Sequence, residues 1–245
     1  MRLIRIHVEA PLAPGAQVEL RGQAAEHVAR VLRLKPGDAV SLFNGNGSDY
    51  RCEIKDLWNG SIGVMVHAVV PARAESPLAL VLVQGIARGE RMDLIVQKAT
   101  ELGVTAIQPV AMTRSVVRLD DDARAKKLAH WRGVAIAASE QCGRATLPAI
   151  AEPIAFAAWL QQPSGAGTRR IQLAPDAGLA LAAAAAGALR IELLVGPEGG
   201  VAEPERDAAL AAGYLACRLG PRMLRSETAA VAALAVLQSA AGDLN

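Results

Sequence analysis

Residues 191–200 read IELLVGPEGG and residues 215–229 read LACRLGPRMLRSETA. Each stretch opens with an apolar, strand-like run (191–195 and 215–219), passes through a glycine-bearing loop, and leads into a helical pattern. In an open α/β sheet, ligands bind where loops leave the carboxyl ends of strands. Two such loops, successive in sequence, can close on one small molecule, with glycines letting the backbone approach it closely. Each loop carries an embedded Glu, and the second carries Arg222 and Arg225. A pair of tight turns before helices is the plainer alternative.

Working outward, the pattern from Leu78 onward alternates strands and helices, which argues for a parallel sheet covered on both faces. Leu78 to Gln84 is a continuous apolar strand, and further strands are predicted at 105–110, 170–174, 191–195 and 215–219. A helix carrying Met92, Ile95, Val96, Ala99 and Leu102 on one face ends at Gly103. The last helix, 226–241, is apolar nearly all round from Ala229 to Leu237 and calls for burial on several sides, by its own sheet and by a second subunit.

The residues before about Ala68 are turn-rich: Lys35-Pro36-Gly37-Asp38, Asn44-Gly45-Asn46-Gly47 and Asn59-Gly60 are turn signals, with strands at 40–43 and 62–66 between them. One helix is expected within 24–33. This predicts a small β-barrel at residues 1–72, a linker at Pro71–Pro77, and a second domain over 73–245.

Bulk properties narrow the classes. The chain has 245 residues, 52% of them hydrophobic, enough for a sizeable core in two modest domains. Its formal net charge of +2 demands no nucleic acid, so any RNA-binding face must come from local clustering of arginine and lysine. Aromatics make up 3%, against a broad base-stacking platform. The start, Met1-Arg2-Leu3-Ile4-Arg5-Ile6-His7, lacks a signal-peptide core, and the Ala-rich run 179–189 is too short for a membrane span, so no membrane association is expected. Cys52, Cys142 and Cys217 are scattered and odd in number, as reduced thiols in a cytoplasm would be. His7, His27, His67 and His130 show no metal-ligand spacing, and no metal is predicted.

No G-x-G-x-x-G opens a first βαβ unit, and no G-x-x-x-x-G-K-[ST] is present. The two C-terminal loops instead resemble the signature of the SPOUT RNA methyltransferases, and within them the ribosomal RNA small-subunit methyltransferase E family. The resemblance extends to Ser139-Glu140-Gln141-Cys142-Gly143-Arg144, to 97–104 (QKATELGV) and to the stretch from His27 to Tyr50, and so covers nearly the whole chain. The chain departs from the family at Ser226, often Thr, and at Val201-Ala202, where a bulkier residue followed by Ser is frequent. The resemblance implies a trefoil-knotted α/β domain with a parallel sheet after a PUA-like β-barrel that binds RNA. It implies S-adenosylmethionine as cofactor, N3 of a uridine in small-subunit (16S) ribosomal RNA as methyl acceptor, a homodimer, and a cytoplasmic enzyme. The knot rests on the resemblance alone.

The cofactor site is then expected at Val195, Gly196, Pro197, Gly199 and Gly200, at Leu219, Gly220, Met223, Leu224, Ser226 and Glu227, with Leu173, Ala174 and Pro175 as a third edge. Uridine N3 must lose a proton, and a guanidinium near the neighbouring carbonyls would stabilise the developing anion. Arg144 is the first candidate and Arg225 the second; Arg144 also reads as a charge complementing a helix C-terminus. Glu198 and Glu227 are possible bases or cofactor contacts, or acceptors of backbone amides near a helix start. RNA contacts are expected from Arg88, Arg91, Arg114 and Arg118, with Lys126 and Lys127 on a charged helix, extended by Arg30, Arg33 and Lys35 on the small domain. Other readings are a non-catalytic RNA-binding protein on the same fold, a methyltransferase of another RNA, and a metabolic enzyme for a different adenine nucleotide.

Overall fold

A computed structural model describes residues 4–58, 60–115 and 121–244. The chain forms two compact units, one of residues up to Glu75 together with Ile136–Leu147, the other of Ser76–Ala135 and Pro148 onward.

In the first unit, β1 (Ile4–His7), β2 (Gln17–Arg21), β3 (Ala39–Phe43), β4 (Ser48–Trp58) and β5 (Ser61–Pro71) make a curled half-barrel in the order β1-β3-β4-β5-β2. Alternation decides the faces: Tyr50, Cys52 and Ile54 of β4 and Ile62, Val64 and Val66 of β5 point inward, while the residues between them are Arg51 and Glu53 on β4 and Gly63 and Met65 on β5. Burial pushes the Cys52 thiol up to about 11, so it stays a neutral core residue. The helix expected in 24–33 is a short α1 (Gly22–Glu26) that runs on as a π-helical turn, His27–Val31. Arg33 beyond it takes a left-handed backbone, φ 52°.

The second unit holds β6 (Ala79–Gly85), α2 (Glu90–Glu101), β7 (Ala106–Ala111), α3 (Asp121–Cys142), β8 (Ala149–Ile150), β9 (Ile154–Ala155), α4 (Phe156–Leu160), β10 (Arg169–Leu173), β11 (Leu179–Ala180), α5 (Leu181–Ala185), β12 (Arg190–Val195), α6 (Glu203–Ala211), β13 (Leu215–Arg218) and α7 (Ser226–Ala241). Its parallel sheet runs β11-β13-β10-β12-β6-β7-β8, and β9 pairs with β7. The central strands are covered on both faces, which explains why β6 and β12 read as almost unbroken apolar runs. Gln238, buried on α7, accepts from Ser76 Oγ at 2.7 Å and donates to Leu102 O at 2.8 Å. It thereby ties the last helix to the end of α2 and the approach to β6.

The division expected at 72/73 takes no account of residues 136–147, the end of α3 and the segment after it, which group with the N-terminal unit. Arg5 is the reason. Its guanidinium, 7% exposed, binds Asp49 at 2.7 Å and donates to the carbonyls of Ser139 (2.6 Å) and Arg144 (2.9 Å). The His7 N–H donates to Glu140 Oε1 at 2.9 Å, and Gly47 N to Ala145 O at 3.2 Å. Replacing Arg5 by Ala strands Asp49 and two carbonyls and should cost about 3 kcal/mol. A shift of the urea midpoint with an unchanged slope is the expected reading. For the same reason a chain beginning at Ser76 lacks the partners of 136–147 and is expected to fray there.

Candidate functional site

In the sheet order, β10 lies between β13 and β12. The loops leaving the carboxyl ends of these three neighbours are 174–178, 219–225 and 196–202, the three edges the sequence nominates. They enclose a cavity of about 350 Å³ lined by residues 173–175, 195–201, 219–220, 222–224, Ser226 and Ala229, with Arg114 and Arg206 on its wall. Every residue expected at the cofactor site lines it except Glu227.

Hydrogen bonds fix the loops to one another. Ser226 Oγ, at the start of α7, donates to Gly196 O at 2.6 Å. It accepts from Gln84 Nε2 at 3.2 Å, and that amide also donates to Gly85 O at 2.8 Å. The Ser226 hydroxyl is thus both donor and acceptor here, as any hydroxyl residue at this position could be. Gln84 is a site-supporting residue that sequence reading misses; its one signal is a polar side chain closing an otherwise apolar strand. Ala174 N donates to Cys217 O at 2.8 Å, joining the third edge to β13.

Gly199 is demanded by a protein neighbour. A Cβ there would stand 2.8 Å from the Arg114 Cβ and 3.0 Å from its carbonyl oxygen. Gly199 also lines the cavity, but a bulky residue at 199 displaces the 112–115 segment first. Arg114 Nη1 donates back to Gly199 O at 3.2 Å. Glu205 completes the join, accepting from Thr113 N at 2.8 Å and from Ala202 N at 3.2 Å. Ala202 has no side-chain cap, and Glu205 supplies an acceptor for the backbone amide at that position.

The acidic residues are held by arginine. Glu198 Oε1 accepts from the Arg88 N–H at 2.9 Å and from Arg91 Nη1 at 3.1 Å. Burial pushes the Glu198 carboxyl up, but the Arg88 and Glu198 backbone N–H groups and the Arg91 guanidinium outweigh it and hold it below the ordinary glutamate value. Glu227 Oε1 lies 3.9 Å from Arg91 Nε. Arg91, expected on an RNA-binding rim, therefore spans two loop carboxylates. The second oxygens of Glu198 and Glu227 are buried without a hydrogen-bond partner among the described residues. Glu198 itself is among the residues that line the cavity. Because its folded value is depressed, the ionised carboxylate stabilises the loops at neutral pH, and this support is lost as pH falls through that value. Replacement of Glu198 by Gln should remove the corresponding limb from a stability-versus-pH profile.

The two arginines expected near the substrate belong to different units. Arg225, the residue before α7, is exposed, and among the described residues its guanidinium has no ion pair or hydrogen bond. Arg144 belongs to the first unit, where its guanidinium, 11% exposed, grips Glu75 at 2.7 Å and 3.0 Å. Arg88 is exposed, Arg118 lies outside the described residues, and Lys127 sits over the Trp131 ring at 5.8 Å. In the first unit Arg30 pairs with Glu26 at 2.6 Å, while Arg33 and Lys35 are exposed. Among the described residues, no cluster of three His, Cys, Asp or Glu could hold a metal, and no helix is long and apolar enough to cross a membrane.

A family profile described as an RNA methyltransferase domain matches residues 74–238, and one described as an RNA methyltransferase PUA domain matches 20–61. The ribosomal RNA small subunit methyltransferase E of Buchnera aphidicola is 30% identical over 244 residues, covering 100% of this chain and 99% of the relative. That of Mycobacterium bovis is 34% identical, covering 90% and 85%. The Neisseria gonorrhoeae enzyme of the same name, solved bound to S-adenosyl methionine, superposes with a TM-score of 0.92 at 34% identity, covering 100% of both chains. A Legionella pneumophila methyltransferase solved with bound SAM gives 0.94 at 36%, again over 100% of both. The glycine loops at three adjacent strand ends, the PUA-like half-barrel and these full-length similarities have one reading: the chain belongs to the ribosomal RNA small subunit methyltransferase E family.

Proposed function

We propose that this chain binds S-adenosylmethionine in the cavity between residues 173–175, 195–201 and 219–229 and methylates N3 of a uridine in small-subunit ribosomal RNA. The observation that carries the reading is that three strand-end loops line one cavity, two of them joined through the Ser226 hydroxyl and the third tied to β13 by the Ala174 amide. The lining fits the cofactor: backbone groups of two glycine-bearing loops face the cavity, and Glu198 brings to its wall a buried carboxylate oxygen with no partner. When bound, the cofactor supplies a methyl group on a sulfonium, an electrophile that needs no activation. The chain's own task is then to position and to manage charge, and positioning of this kind is worth ~7–11 kcal/mol.

Arg225 is the cation we assign to the substrate base. It stands beside the cavity with its donors unspent, and a guanidinium stays charged while a uracil ring loses its N3 proton. Glu198 is committed to Arg88 and Arg91 through one oxygen, which favours a loop-holding and cofactor-contacting role over that of a base. The knot is carried by family membership. So are the homodimer, built on the half-buried residues of α7, and a place of work in the cytoplasm. Equilibrium titration with S-adenosylmethionine, ATP and NAD should give saturable binding of the first alone. Tight binding of ATP or NAD instead would favour a metabolic enzyme on the same fold.

A further inference from the structure

We infer that the β4–β5 hairpin end of the first unit is a stacking site for a single unpaired base of the RNA, with Trp58 as its platform. Trp58 is 57% exposed, while Trp131 is 1% exposed and Trp159 is partly buried with its indole N–H on Tyr214 at 2.9 Å. Its ring is also seated. A Cβ on Gly63 would lie 3.1 Å and 3.2 Å from Trp58 Cη2 and Cζ3, so the six-membered ring occupies the space that glycine leaves open on β5. The far end of the indole is thus set against β5 at Gly63, and more than half of the residue is exposed. A surface tryptophan held in this way stacks at little entropic cost.

Beside it opens a cavity of about 310 Å³, walled by Leu57, Ile62, Ala25 and Ala29, with Glu26 and Arg30 at its polar side. Arg30 rides on the π-helical turn and is 79% exposed; Glu26, its partner, is 59% exposed. The pair offers both donors and an acceptor, the two kinds of group that a base edge reads. Among the described residues the large exposed apolar side chains here are Leu57 and Trp58, a patch small for a protein partner and suited to one ring. The stretch matching the RNA methyltransferase PUA profile, 20–61, contains both the helical turn and the indole. This inference rests on the reading that the chain acts on RNA and adds where, and in what chemical form, the RNA is gripped.

The test titrates the full chain with a labelled single-stranded oligoribonucleotide of mixed sequence and with the corresponding duplex. Trp58→Ala should weaken single-strand binding by about tenfold or more. Duplex binding should hold, and so should the slope of affinity against salt, because stacking releases no counterions. Trp58→Phe should retain most of the affinity, and Gly63→Val, which unseats the ring without removing it, should reproduce the loss. Unchanged single-strand affinity in Trp58→Ala overturns the inference, as does an equal loss on duplex, or no binding of the oligonucleotide by the unaltered chain. Binding of S-adenosylmethionine, measured on the same preparations, should be untouched by all three variants. Its absence from the unaltered chain would strike the functional reading above and leave this inference to the RNA titrations.

Discussion

With Ala229 replaced by Phe, affinity for S-adenosylmethionine should fall by about a hundredfold or more, ~2.8 kcal/mol, in a chain that remains folded. Ala229 stands on the first turn of α7, half-buried, and lines the cavity directly after the Ser226 strut. A benzyl group added there has close-packed core on one side and the open cavity on the other, and forcing it into the core would cost ~1–3 kcal/mol. The ring therefore takes the cavity and the volume a ligand needs. Calorimetric titration beside a thermal melt separates the outcomes: a retained melt with lost binding places the ligand here, and unchanged affinity removes it from this cavity.

Arg225→Ala should lower turnover by ~10²–10³, the cost of removing one donor aimed at developing charge, and leave cofactor affinity nearly unchanged. Arg225→Lys should recover part of the rate. Arg144 is the necessary comparison, since sequence reading ranks it first. Its guanidinium is bound to Glu75 within the N-terminal unit, so Arg144→Ala and Glu75→Gln are expected to lower stability together. Their effect on rate should follow the folded fraction. A collapse of turnover in Arg144→Ala with stability intact, absent in Glu75→Gln, would return the catalytic role to Arg144.

The contrast between these arginines shows where sequence reading stops. The glycine loops were legible because glycine and proline between an apolar run and a helical pattern have local causes, and their positions at strand ends follow from chain order. The third edge, 173–175, falls between them because β10 pairs with both β12 and β13, a non-local fact that no window of sequence contains. The partners of charged side chains are equally non-local. Arg91 meets Glu198 and Glu227 from 107 and 136 residues away in sequence, so on sequence alone it is one more solvated arginine. The motif 139–144 is an instructive case. Its recognisable residues lie where Arg5 and His7 take hold of the end of α3, so much of its signal reports folding of the N-terminal unit. Sequence reading passes over Trp58 because a 3% aromatic content argues against a row of stacked bases and is silent about one.

Methyl transfer to uridine N3 can be read out on the ribosomal RNA itself. Purified small ribosomal subunits lacking the modification are incubated with the chain and methyl-labelled S-adenosylmethionine, and the RNA is digested to nucleosides and resolved by mass spectrometry. Label is expected in 3-methyluridine alone, at one position per subunit. Label on another base or on ribose, or none in a chain that binds the cofactor, contradicts transfer to N3.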